Sequence, residues 1–170
     1  NIYNRTKGKK LEDFISKLKK ELPSSVNVNA INDARDAIKD ADVIITATNS
    51  YDPVLPNDES LLKGKLVIGV GSFQPTMREF PEAIYKVASK IFVDTDDAIK
   101  ESGDIIIPLE KGWFSKDRIQ TLGSYIRNKE QMGEHDTVVF KSTGSALFDS
   151  VTAGIVYEGT MKENTGIFLT

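Results

Sequence analysis

The 170-residue sequence contains no cysteine. That absence removes a disulfide framework, thiolate metal sites and a cysteine nucleophile together, and it fits a reducing compartment. No apolar run comes near the roughly 18 residues that a membrane-spanning helix needs. The first residues carry no basic start followed by an apolar stretch, so the expectation is a soluble, cytoplasmic protein without membrane contact. Excess charge of either sign is also missing. Lys+Arg number 22 against 25 Asp+Glu, a net charge of −3, and nothing in that balance favours a nucleic-acid partner. The single histidine, His135, lies in a polar Gly-Glu-His-Asp turn with no serine or cysteine at a motif spacing, and reads as solvated. Asp94, Asp96 and Asp97 cluster in sequence but alternate into a helix start, so helix capping explains them better than a metal, and no metal site is expected.

What remains is 39% hydrophobic and 28% charged, enough apolar material for one domain with a core. Its pattern alternates. Ile2-Tyr3 is a strand stub, and Leu11, Phe14, Ile15, Leu18 and Leu22 then mark one face of a helix that Pro23 ends. Val26, Val28 and Ala30 alternate as a short strand, and residues 31–39 read as a helix. Val43 to Thr48 and Leu66 to Gly71 are unbroken β-favouring runs of the kind found in parallel strands covered on both faces. Residues 79–89 read as a helix, 91–93 as a strand, 96–101 as a short helix and 104–108 as one more strand. A helix over 115–127, a strand over 137–140 and a last helix over 145–157 complete the series. Strands separated by helical patterns predict an α/β fold with a doubly wound, mostly parallel sheet flanked by helices.

Such sheets bind ligands beyond the carboxyl ends of their strands. Four strand ends carry suitable residues: Asn4-Arg5-Thr6, Thr46-Ala47-Thr48-Asn49-Ser50, Gly69-Val70-Gly71-Ser72, and Lys141-Ser142-Thr143-Gly144. In a dinucleotide-binding fold the second strand ends at the adenosine ribose, where a carboxylate suits a free 2′-hydroxyl and a cation suits a 2′-phosphate. Here that place holds Asn4 and Arg5, with Lys7, Lys9 and Lys10 close by, which favours NADP(H) over NAD(H). The alternative is a helix start that is merely basic and solvated. Small residues at Thr46, Ala47 and Thr48, and glycine on either side of Val70, would let backbone approach a cofactor, although a buried strand and a tight exit need them equally. Lys141, Ser142 and Thr143 could reach a nicotinamide carboxamide, with Ser145 capping the last helix. If Ile2-Tyr3 is the second strand, a first strand with its G-x-G-x-x-G turn should precede it by about 20 residues. That motif occurs nowhere in the sequence, and the expectation is a fold lacking its first strand and glycine-rich turn.

The stretches IYNRT, ADVIITATNS, IGVGSFQPTMREFP, VDTDDAIKESGDIIIP and TVVFKSTGSALFDSVTAG resemble the ornithine cyclodeaminase and mu-crystallin family, in that family's order and spacing. The resemblance implies that residues 1–143 are a partial Rossmann-like NAD(P)-binding domain. Residues 144–170 would be a helix and tail that return to a dimerisation and substrate domain, in a protein that is a homodimer when whole. It implies hydride transfer on a small amino or imino acid. Family members reduce an imino acid or ketimine with NAD(P)H, or act as lyases that convert ornithine to proline. In the cyclodeaminase branch an aspartate six residues before the motif glutamate handles the proton at the substrate amine. That position here is Phe73, six before Glu79, and phenylalanine moves no proton. Imino acid reduction is therefore ranked first and ornithine cyclodeamination next, with no catalytic residue assigned. A catalytically silent NADP(H)-binding and small-ligand-binding protein of the mu-crystallin type is the alternative. The arginine and lysine that the family uses on substrate belong to its first domain, so the 170 residues alone are expected to be inactive.

Three further residue groups carry expectations. Glu79, with Arg78, reads as a helix-entrance carboxylate offsetting the dipole rather than as a catalyst. Trp113 and Phe114 read as aromatic anchors of a loop. Leu147, Phe148, Val151 and Ile155 form an apolar stripe on the last helix that is expected to lie exposed.

Overall fold

The computed structural model describes residues 1–167; the end of the expected tail, residues 168–170, lies outside them. A short strand β1 (Ile2–Tyr3) leads through Gly8 into helix α1 (Lys9–Glu21), and β2 (Ala30–Ile31) returns to pair with β1 in parallel. Helix α2 (Ala34–Ile38) is capped by Asp33, whose carboxylate accepts the Arg35 N–H at 2.7 Å. Next come β3 (Val43–Thr46), α3 (Glu59–Leu62), β4 (Leu66–Gly69), α4 (Glu82–Val87) and β5 (Lys90–Val93). The remainder is α5 (Ala98–Glu101), α6 (Gly103–Glu110), a 3₁₀ turn at Lys116–Arg118, β6 (Ile119–Thr121), α7 (Leu122–Asn128), β7 (Val138–Lys141) and α8 (Ala146–Glu163).

Five strands form one parallel sheet in the order β3-β4-β7-β5-β6, and β1-β2 form a separate parallel pair. The register is level: Thr46, Gly69, Lys141, Val93 and Thr121 stand side by side where the strands end. The loops that follow therefore share one edge of the sheet, as the alternation predicts.

One face of this sheet is closed. Ile44, Val67, Val139 and Ile91 stand in a row and are 4%, 0%, 0% and 0% exposed. They pack with Leu62, Phe80, Ile84, Tyr85 and Ile105, and Phe114 stacks on Tyr85 with ring centres 5.3 Å apart. Trp113 sits beside the same ring, so the expected aromatic anchor is present. The opposite face is covered only at one side, where Tyr125 of α7 meets Phe92. Toward the other side Val43 and Ile45 are 49% and 65% exposed, so the expectation of strands covered on both faces holds for only half of the sheet.

Several expected elements differ. Residues 104–108 are not a strand but part of α6. Its β-branched run is overruled by a cap, Ser102 Oγ accepting the Asp104 N–H at 3.2 Å, and by burial of Ile105 against the sheet. Pro108 inside that helix has no N–H for the Asp104 carbonyl, and the buried Tyr85 hydroxyl donates to that carbonyl instead. The expected strand over 26–30 shrinks to β2, and the single helix over 115–127 divides into a 3₁₀ turn, β6 and α7. Ser145 caps α8 as expected, accepting the Leu147 N–H. Leu147, Phe148, Val151 and Ile155 are all more than half exposed, and α8 buries no residue.

Candidate functional site

A cleft of about 500 Å³ opens at the carboxyl ends of β1, β3 and β4, lined by Asn4, Ala47, Thr48, Asn49, Val70, Gly71 and Phe73. Five of these were singled out as cofactor-binding residues: Asn4, Ala47, Thr48, Val70 and Gly71. Asn4 faces the same space as Thr48 and Gly71, although β1 belongs to a different sheet from β3 and β4. Phe73, 52% exposed, presents an apolar ring to the cleft.

Gly71 has a steric reason to be glycine. A Cβ there would lie 2.0 Å from the Thr48 carbonyl oxygen and 2.2 Å from the Thr48 nitrogen, both main-chain atoms with no easy retreat. The two strand tips are joined at this contact by Glu79, which is wholly buried. One carboxylate oxygen, Oε1, accepts the Thr48 N–H at 2.5 Å and the Thr48 hydroxyl at 2.8 Å; the other, Oε2, accepts the Gly71 N–H at 2.9 Å. Glu79 precedes α4 by three residues and offsets no helix dipole, which corrects its reading as a helix-entrance charge.

Glu79 is itself held from behind. Asp104 Oδ1 accepts the main-chain N–H groups of Glu79 and Phe80 at 2.8 and 2.9 Å. Burial pushes the Asp104 carboxyl up to about 6, against the pull of those amides and of Lys141. Lys141 is also wholly buried; its ammonium donates to the Gly69 carbonyl at 3.1 Å and stands 3.9 Å from Asp104 Oδ2. Burial lowers the pKa of Lys141, opposed by Asp104, Glu79 and Asp94. The Lys141 side chain thus runs under the strand tips and not into the cleft, so its expected reach toward a carboxamide is corrected. Its parity with Val139 on β7 was the sequence signal, because alternate residues of a strand share a face. Thr46 follows the same logic and is 5% exposed.

The loop after β7 is fixed differently. Asp94, at the end of β5, accepts through Oδ2 the Ser142 hydroxyl at 2.7 Å and the Thr143 and Gly144 N–H groups at 3.1 Å each. This corrects the helix-capping role read for Asp94, and Asp97, the cap position of α5, makes no side-chain cap bond. Ser142, whose hydroxyl is taken by Asp94, is not among the residues that line the cleft. Arg5 and Thr6 are exposed just beyond Asn4, whose side-chain amide donates to the Thr6 carbonyl at 2.7 Å. Among the described residues no cluster of His, Cys, Asp or Glu could hold a metal, no helix is long and apolar enough to cross a membrane, and His135 is exposed.

The model of the ornithine cyclodeaminase/mu-crystallin family matches residues 1–164. The chain belongs to that family. It is 36% identical over 97% of its length to a Delta(1)-pyrroline-2-carboxylate reductase of Bacillus thuringiensis subsp. konkukian, covering 50% of that protein. It is 33% identical over 92% of its length to the ketimine reductase mu-crystallin of Macropus fuliginosus, covering 46% of it. Among solved structures, the Delta(1)-pyrroline-2-carboxylate reductase of Thermococcus litoralis, in complex with NADH and L-proline, superposes with a TM-score of 0.85 at 25% identity over 98% of this chain. The chain spans about half the length of these relatives.

Proposed function

We propose that this chain is the cofactor-binding part of an NAD(P)-dependent reductase that transfers hydride to a small cyclic or open imino acid. The observation that carries the reading is the cleft itself: it brings Asn4, Thr48 and Gly71, from three strand ends, to one space at the edge where doubly wound sheets bind ligands. A dinucleotide fits the lining, because Ala47, Val70 and Gly71 are small or flat enough for main chain to approach it and no carboxylate lines the space. When bound, the nicotinamide would supply the hydride.

The chain's own residues would divide the remaining work. Asn4 and Arg5 would take the adenosine ribose, with Arg5 favouring a 2′-phosphate and hence NADP(H) over NAD(H). Ala47, Thr48, Val70 and Gly71 would form the floor under the rest of the dinucleotide. Phe73 would exclude water from the reacting centre and, holding no proton, supports reduction over cyclodeamination. Ser142 keeps a place in this reading through its loop, which Asp94 presents beside the β7 end.

The division into a Rossmann-like part, 1–143, and a returning helix and tail, 144–170, belongs to the same proposal. The uncovered face of β3, the separate β1-β2 pair and the exposed α8 support a further strand and domain completing the enzyme; the homodimer and the cytoplasm enter the same proposal through the family resemblance. Turnover of a cyclic imino acid by the protein containing this chain tests the function, and titration with NADPH and NADH tests the cofactor. Reduction with lower Kd for NADPH is expected; binding of neither dinucleotide would remove the reading. Binding without turnover of any imino acid would leave the silent binder in its place.

A further inference from the structure

Beyond the last ladder bond between the two strands, Val70 N–H to Thr46 O at 2.9 Å, the β3 and β4 tips have no direct main-chain hydrogen bond among the described residues. What connects them is the Glu79 carboxylate, which takes two donors from Thr48 and one from Gly71. Burying an ionised carboxylate is costly unless it is fully hydrogen-bonded, and a simple closure of two loops does not require one. Glu79 is unlike the residues around it in three respects. It is 0% exposed, it lines no part of the cleft, and every donor to its side chain belongs to a cleft-lining residue.

We propose that Glu79 is the positioning residue of the cleft, fixing the separation of the β3 and β4 tips from beneath so that a dinucleotide meets a preformed floor. The inference rests on the dinucleotide reading given above. By accepting the Thr48 and Gly71 N–H groups from the core side, Glu79 directs those peptides so that the Thr48 carbonyl seats against Gly71, where a Cβ would be 2.0 Å away. Asp104 holds the Glu79 main chain, and Lys141 holds the Gly69 carbonyl one strand over, so the carboxylate is a fixed strut. Such preorganisation lowers the ordering cost of binding without a contact to the ligand.

Glu79→Gln is the informative change. Glutamine keeps the shape but replaces one acceptor with an amide NH₂, so either the Gly71 N–H or the Thr48 donors must face another donor. In the full-length protein, E79Q is expected to raise the Kd and KM for NADPH about tenfold or more, while the KM for the imino acid moves less than about threefold. Glu79→Asp keeps the charge with a shorter reach; it is expected to fall between wild type and E79Q, and it serves if E79Q does not fold. Leu62→Ala, a buried core change on α3 with no bond to Glu79 or Asp104, controls for lost stability and is expected to lower Tm without altering the NADPH Kd. Wild type and both Glu79 variants binding NADPH alike would overturn the positioning role and leave the dinucleotide reading standing. Wild type binding neither NADPH nor NADH would overturn that reading itself. Equal rises in the KM of both substrates would reduce Glu79 to a general structural residue.

Discussion

On one face of the five-stranded sheet Ile44, Val67, Val139 and Ile91 are at most 4% exposed; on the other, Phe92 and Val138 are buried at 3% and 7% but Ile45 is 65% exposed. Both faces carry Val and Ile on the same strands, so β-favouring composition does not separate them. The closed face carries the polar machinery as well: Lys141, Thr46 and the position of Gly69 share its parity, and Glu79 and Asp104 pack beneath it. Parallel sheets bury both faces in complete folds. The open face and α8 thus leave apolar side chains uncovered among the described residues, whereas the closed face is finished within them.

Four expected outcomes would break or sharpen that comparison. Ile91→Ala on the closed face should cost about 2–5 kcal/mol in urea unfolding, whereas Ile45→Ala on the open face should change stability by less than about 0.5 kcal/mol. Similar losses at both sites would erase the distinction. Gly71→Val should cost about 3 kcal/mol and abolish dinucleotide binding, because its Cβ meets main-chain atoms of Thr48; a stable variant that binds normally would show that the tips are not held in contact. Tyr85→Phe should cost about 1–2 kcal/mol by thermal unfolding, because it leaves the Asp104 carbonyl without the donor that Pro108 cannot supply.

A further effect is a slope with pH. The Asp104 carboxyl is raised from 3.8 to about 6 in the folded chain. Its stabilising contribution is then fully present below its unfolded pKa and is lost as pH rises through about 6. Between those values stability should fall by at most about 1.4 kcal/mol per pH unit from this group. Urea midpoints of wild type and Asp104→Asn across that window check it. An identical slope in both proteins would show that Asp104 is already ionised there.

Much of the site was legible because strand ends are marked by where β-favouring runs stop and small polar residues begin. Asn4, Ala47, Thr48, Val70 and Gly71 all sit at such stops, and all reach the cleft. Residues whose role depends on side-chain direction were less legible. Lys141 and Ser142 follow a strand end just as Thr48 does, yet one points into the core and the other is taken by Asp94. Glu79 lies between a proline-containing turn and a helix, a local setting that signals capping. Its actual partners are 31 and 8 residues away, a distance at which sequence pattern carries no information. The Ile105-Ile106-Ile107 run shows the same limit from the other side, since a strand-like segment becomes helical once Ser102 caps it and the core receives it.

Hydrogen–deuterium exchange of the full-length protein with and without NADPH tests the cleft most directly. Slower exchange is expected at Asn4, over Ala47 to Asn49 and over Val70 to Phe73, with little change along α8. Tight NADPH binding that leaves the β3 and β4 tips exchanging at their free rates would place the dinucleotide elsewhere and contradict the assignment.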